Sequence, residues 1–270
     1  MLKANLPIGI FDSGIGGLTV ARAVKKLLPN EHIVYFGDLE HLPYGDKSKA
    51  VIQAFCIKIV DFLLEKKCKV ILIACNSASA AAYELICEYV GTRAIILNVI
   101  DPVVDHFEDT EVHKTIGLIG TKQTIGSNVY ADKMNHRGAN ISLKALATPL
   151  LVPMIEEGFH EDRISEEIIN TYLSKEELSG IESLILGCTH YPVIKTQIES
   201  YYQGKVEVID SASMVAKALH KLLIEHGLNR IDTPSEKNAF YSSDVTPAFI
   251  HATRLFFGHE IQLDRHKLWR

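Results

Sequence analysis

The sequence predicts an α/β fold of two pseudosymmetric lobes, each a largely parallel sheet flanked by helices, with a cleft between them. Two observations carry that expectation. Short apolar runs alternate with longer amphipathic segments almost from end to end, the pattern of parallel strands joined by helical crossovers. The chain also repeats itself. "PIGIFDSGIG" from residue 7 aligns with "TIGLIGTKQT" from residue 115, an offset of 108, and "LIACNSAS" from residue 72 aligns with "ILGCTHYP" from residue 185, an offset of 113. Two motifs in one order at nearly one offset point to two related units. The 270 residues, 47% of them apolar, suffice for two modest cores.

The elements follow in order. "IGIFD" (8–12), "HIVYFG" (32–37), "VILIA" (70–74) and "AIILN" (94–98) read as strands of the first unit. "TIGLIG" (115–120), "ISLKAL" (141–146), "SLILG" (183–187) and "VEVID" (206–210) read as strands of the second. Helical periodicity runs through 16–28, 48–67, 77–90 and 211–227. The boundary falls near 98–114, where "VIDPVVDHFEDTEVHK" turns polar. Residues after about 210 exceed the second unit's repeat and are expected to pack back on the first. The expected lobes are therefore 1–98 plus 210–270, and 99–209.

Composition removes several classes. A net charge of −5 offers no electrostatic footprint for nucleic acid or an anionic membrane surface. No apolar stretch is long enough to span a bilayer, and "MLKANLPIGIF" lacks the features of a secretory signal, so a cytoplasmic protein is expected. Five cysteines without a Cys-x-x-Cys pair read as free thiols, and no Cys/His spacing suits zinc.

The chemistry gathers at strand ends, where open parallel sheets bind ligands. Asp12-Ser13, Gly37-Asp38, Cys75-Asn76-Ser77, Thr121 and Cys188-Thr189-His190 all stand there. A lone cysteine at such a place is usually a small buried hydrophobe. A matched pair at equivalent points of two facing lobes is better suited to presenting two thiols to one cleft. Each precedes a helix, whose N–H groups and dipole are expected to favour the thiolate. Cys56, Cys68 and Cys87 lie in apolar patterns and read as core.

"FDSGIGGLT" matches neither the phosphate loop nor the dinucleotide fingerprint. It reads as a tight turn or as an anion cradle of N–H groups, with Asp12 as acid/base group, ammonium partner or helix cap. "GDLEHLPYG" (37–45) offers Tyr44 beside Gly45 as a lip for a small ligand, and of Glu156 and Glu157 one is a candidate to turn inward.

Taken together, "FDSGIGG", "PYG", "ACNSASA" and "GCTHYP" resemble the glutamate racemases of the cofactor-independent aspartate/glutamate racemase superfamily, over residues 7 to about 215. The resemblance implies Cys75 and Cys188 as two bases that move the Cα proton of glutamate between opposite faces. Asp12, His190 and Glu156 would assist them. Asp12, Ser13, Pro43, Tyr44, Gly45, Asn76, Ser77, Thr121, Thr189 and His190 would bind the substrate. It also implies no cofactor, no metal, a homodimer and a supply of D-glutamate for peptidoglycan. The chain departs from the family pattern at Ser77, usually Thr, and at Leu39-Glu40-His41, which is expected to alter the cleft rim. Competing readings are a racemase for aspartate or another small amino acid, a two-lobed binding protein without catalysis, and a thiol redox enzyme.

Overall fold

The computed structural model describes residues 3–108, 113–232 and 237–269. Residues 109–112 of the expected boundary stretch lie outside them. The chain forms β1 (Ile8–Asp12), α1 (Leu18–Leu27), β2 (Ile33–Gly37), α2 (Lys49–Glu65), β3 (Val70–Ile73), α3 (Asn76–Val90), β4 (Ile95–Asn98) and α4 (Asp101–Asp105). There follow β5 (Lys114–Gly120), α5 (Lys122–Gly126), α6 (Val129–His136), β6 (Ile141–Ala147), α7 (Leu151–Glu156), α8 (Arg163–Leu173), β7 (Ser183–Gly187), α9 (Lys195–Tyr202) and β8 (Glu207–Asp210). The chain continues with α10 (Ser211–Glu225), β9 (Ala239–Ser242), α11 (Pro247–Phe257) and β10 (Asp264–Arg265).

Every described strand pairing is parallel. One sheet has the order β10-β9-β2-β1-β3-β4 and the other β6-β5-β7-β8. Taken by first, second, third and fourth strand of each repeat, both sheets run 2-1-3-4. The connection from the first strand leaves in one direction and that into the third in the other. The strand order therefore reverses between β1 and β3, and again between β5 and β7. Such reversals open a crevice at the carboxyl edge.

The central strands are apolar because both their faces are covered. β1, β2, β3 and β7 are buried throughout. Alternate residues serve opposite cores: Val70, Leu72 and Ala74 face one, and Ile71, Ile73 and Cys75 face the other. The first core contains α1 and α10 and continues into the second sheet's helices, while the second core lies under α2 and α3. The last two strands extend the first sheet, since β9 pairs with β2 and β10 with β9. No helix among the described residues is long and apolar enough to cross a membrane.

At the amino edge of the first sheet, far from the crevice, a buried ion pair ties four segments together. Lys69 Nζ lies 2.6 Å from Glu31 Oε2 and donates to the carbonyls of Ala4 and Leu228. The Arg230 N–H donates to Glu31 Oε1 at 2.9 Å. Burial draws the Lys69 pKa down, and Glu31 opposes that shift. Glu31→Ala would leave the ammonium buried without its carboxylate. The expected loss of about 3–5 kcal/mol in unfolding free energy is measurable by urea denaturation.

Candidate active site

The carboxyl ends of β1, β3, β5, β6 and β7 surround one cavity of about 260 Å³. That is small for a drug-sized molecule and appropriate for an amino acid. Ser13, Pro43, Tyr44, Gly45, Cys75, Asn76, Ser77, Thr121, Glu156, Cys188, Thr189 and His190 all line it. Of the residues singled out from sequence, Asp12, Gly37, Asp38 and Glu157 do not line the wall. The Asp12 carboxylate is fully buried directly behind it.

Cys75 and Cys188 come from the two sides. Cys75 ends β3 and caps α3, its Sγ accepting the Ala78 N–H at 3.4 Å and lying 3.6 Å from Ser13 Oγ. Burial and the neighbouring Asp12 charge push its thiol up to about 12, against the smaller pull of Ala78 and Ser13. This corrects the sequence expectation. One N–H at a helix start does not offset desolvation inside a closed cavity, so Cys75 rests as the thiol.

The second thiol has a different partner. Cys188 Sγ lies 3.8 Å from His190 Nδ1, and His190 Nε2 lies 2.9 Å from Glu156 Oε1. Burial alone would lower the His190 pKa, but its bonds to Cys188 and Glu156 win and raise it to about 10. At neutral pH His190 is an imidazolium, which stabilises negative charge on the adjacent sulfur. Glu156 is thus the inward-turned member of the Glu156-Glu157 pair.

The N–H groups of the glycine-rich turn hold a carboxyl group, and it is the turn's own Asp12. The Gly14 N–H donates to Asp12 Oδ2 at 3.0 Å, and the Ser13 and Gly17 N–H groups also favour the carboxylate. Burial nevertheless raises the Asp12 pKa, with His190 opposing. Asp12 does not cap α1, whose cap is Gly17. The glycines serve close approach: a Cβ on Gly16 would stand 2.5 Å from the His190 ring and from Thr189 Oγ1. Thr19 Oγ1 donates to the Thr189 carbonyl at 3.1 Å, and Thr189 Oγ1 to Asp12 at 3.5 Å, across the same seam.

Hydroxyls and amides complete the wall. Ser77 Oγ shares hydrogen bonds with Thr121 Oγ1 at 2.9 Å and Thr124 Oγ1 at 3.3 Å, joining the two sheets. The Tyr130 hydroxyl donates to Asn76 Oδ1 at 2.7 Å, and the buried Asn76 Nδ2 has no partner among the described residues. An unsatisfied buried donor at the cavity wall suits a carboxylate ligand. Tyr44 donates to Asp38 at 2.6 Å, which fixes its ring in the wall.

Sequence reasoning missed Leu42, Asp46, Lys122, Thr148, Pro149, Val152, Pro153 and Gly187. Thr148 and Pro149 follow β6, so the strand-end rule applied to "ISLKALATP" would have found them. Lys122 and Asp46 pair at 3.1 Å on the rim, both exposed. The departure at Leu39-Glu40-His41 does not reach the rim. Leu39 is core, and His41 binds Asp38 behind Tyr44. Cys56 and Cys68 are buried as expected, whereas Cys87 is only half-buried.

Two parallel-sheet lobes thus aim a pair of buried thiols into one small cavity. The chain belongs to the Asp/Glu/Hydantoin racemase family, whose model matches residues 18–219. A glutamate racemase of Neisseria meningitidis is 39% identical over 256 residues, 95% of this chain and 94% of that one. The crystal structure of a Francisella tularensis glutamate racemase in complex with D-glutamate superposes with a TM-score of 0.90 at 38% identity, covering 98% of both chains. A Bacillus anthracis glutamate racemase superposes with a TM-score of 0.91 at 31% identity, covering 97% of both.

Two outcomes follow from this geometry. Glu156→Gln removes a charge that raises the His190 pKa, so the imidazole midpoint seen by NMR is expected to fall from about 10. The sign is that of a raised pKa. The stability this group contributes is full below its ordinary 6.5 and is lost as pH rises through about 10 in the wild type, earlier in the variant. Gly16→Ala would force the seam apart at the His190 ring and is expected to lower the thermal midpoint by several degrees.

Proposed function

We propose that the chain interconverts L- and D-glutamate by moving the Cα proton between two cysteines, without a cofactor. The observation that carries this reading is the pair of opposed thiols with unlike partners, Asp12 behind Cys75 and His190–Glu156 behind Cys188. A proton that must leave one face and arrive on the other needs one base and one acid at the same moment. Cys188, beside an imidazolium, is suited to be the base toward the L-enantiomer, and Cys75, held as the thiol, is suited to be the acid. After one turnover the protonation states are reversed, which is the state that the D-enantiomer requires.

The Cα proton is weakly acidic, so the developing enediolate must be stabilised by donors already in place. Asn76 Nδ2 has no partner among the described residues and is suited to one carboxylate oxygen. Ser77, Thr121 and Thr189 offer hydroxyls around the same cavity, Ser13, Pro43, Tyr44 and Gly45 complete its first-lobe wall, and Asp12 backs that wall. Substrate specificity for glutamate is supported by the names of the relatives and by the D-glutamate bound in the Francisella tularensis protein. The same reading gives a cytoplasmic homodimer that supplies D-glutamate for peptidoglycan. It takes 1–98 plus 210–270 and 99–209 as the lobes, which is supported by the pairing of β9 with β2.

The test is L-glutamate in D₂O with purified protein and no added cofactor, followed by circular dichroism and Cα deuterium together. Loss of optical activity with deuterium uptake is expected. Cys75→Ser and Cys188→Ser should each slow it by about 10²–10⁴-fold. Deuterium uptake with aspartate alone would move the substrate, and no uptake with either would overturn the reading.

A further inference from the structure

One unusual stretch remains without a role. Leu39-Glu40-His41 departs from the family pattern yet lies behind the cavity wall, not on it. His41 Nδ1 lies 2.7 Å from Asp38 Oδ1, and the other oxygen of that buried carboxylate accepts from Tyr44 at 2.6 Å. The same carboxylate therefore serves both residues. A buried carboxylate holds its place only while its hydrogen bonds are made. The orientation of Tyr44 in the wall is thus tied to where the His41 ring sits.

The His41 ring is held by aromatic contacts from elsewhere. Phe55 of α2 stacks on it at 4.2 Å between centroids and lies 5.7 Å from Tyr44. Trp269 meets Phe55 edge-on at 6.0 Å and His41 at 6.3 Å. Lys58 Nζ sits 5.3 Å from the centre of the indole. Residues leading to Trp269 are anchored independently: β10 pairs with β9, the His266 N–H donates to the Ser242 carbonyl at 2.8 Å, and the His266 ring packs on Phe62 at 4.4 Å. Ser243, next after β9, accepts the Glu40 N–H at 2.9 Å and so fixes the other end of the 39–41 turn.

We propose that His41 and Trp269 are positioning residues for Tyr44, so that segment 264–269 sets the first-lobe wall of the cavity through Phe55 and Asp38. This rests on the reading that glutamate occupies that cavity. Trp269 touches none of the cavity-lining residues in the aromatic contacts above and acts only through its neighbours. Aromatic pairs of this kind stabilise beyond what their burial contributes, enough to bias a ring between two positions.

The experiment uses the full chain with Trp269→Ala, Trp269→Phe and His41→Phe. The first removes the ring contact, the second keeps it, and the third keeps the stack on Phe55 but loses the bond to Asp38. Trp269→Ala and His41→Phe are each expected to raise the KM for glutamate about tenfold with a smaller change in kcat, while Trp269→Phe stays near wild type. Alkylation of Cys75 by iodoacetamide, followed by mass spectrometry of its peptide, should run severalfold faster in the same two variants. Trp269 is the single tryptophan of the chain, so its emission reports whether the segment is still docked in His41→Phe. Unchanged KM and unchanged alkylation in Trp269→Ala and His41→Phe, with only a lower thermal midpoint, would overturn the proposal. Absence of racemisation in the wild type would defeat the proposed function instead, and the alkylation rates would still decide this inference.

Discussion

The whole site depends on how closely the turn after β1 approaches the turn after β7. Gly16 stands where any side chain would enter the His190 ring, and Thr19 and Asp12 take hydrogen bonds from or to Thr189 across the same seam. That contact sets the distance between the carboxyl edges of the two sheets, and with it the width of the cavity that Cys75 and Cys188 share. It also excludes water from both thiols, each less than a tenth exposed. The glycines of "FDSGIGG" answer a packing requirement in this chain: Gly14, Gly16 and Gly17 are absent from the positive-φ residues. Gly17 is needed because a Cβ there would meet the Asp12 side chain at 2.5 Å.

Strand positions were legible because a strand buried on both faces must be apolar throughout, and turns between such strands must be polar. From "VILIACNS" and "LILGCTHYP" the ends of β3 and β7 can be read to within a residue. The strand-end rule then delivers Cys75, Asn76, Cys188 and His190 without a structure. What escaped has physical reasons. β9 is buried only at alternate residues and β10 is two exposed residues, so neither stands out as an apolar run, and β6 is only half-buried along most of its length, so the significance of Thr148 was lost. Lys122 and Asp46 are charged and exposed, the signature of ordinary solvated residues, and only their pairing across the rim marks them.

The thiol at Cys75 illustrates a different limit. Local sequence shows a helix start, which favours the thiolate, and the N–H that does so is present at Ala78. Local sequence does not show that the same sulfur is enclosed and lies near a buried carboxylate, which disfavour the thiolate more strongly. The balance belongs to tertiary structure. The same holds for His190, whose burial alone would make it neutral but whose two acidic neighbours, thirty-four residues and two residues away, keep it charged.

These two environments are unlike for a reason that follows from the reaction proposed. Two identical thiols in identical surroundings would share protonation states, leaving both as acids or both as bases for much of the time. A buried carboxylate stands behind one sulfur and the His190 ring beside the other, so the two thiols have unlike surroundings. Duplication of the α/β unit supplies two thiols on opposite faces, because related units set edge to edge present equivalent strand ends toward each other. It does not by itself supply the difference. That comes from the positions where the repeat is broken: Asp12 stands in the first unit where Gly120 aligns with it in the second, and His190 stands where Ser77 aligns with it in the first. The pseudosymmetry therefore supplies the geometry of a two-face transfer, and the departures from it give the two sulfurs unlike neighbours.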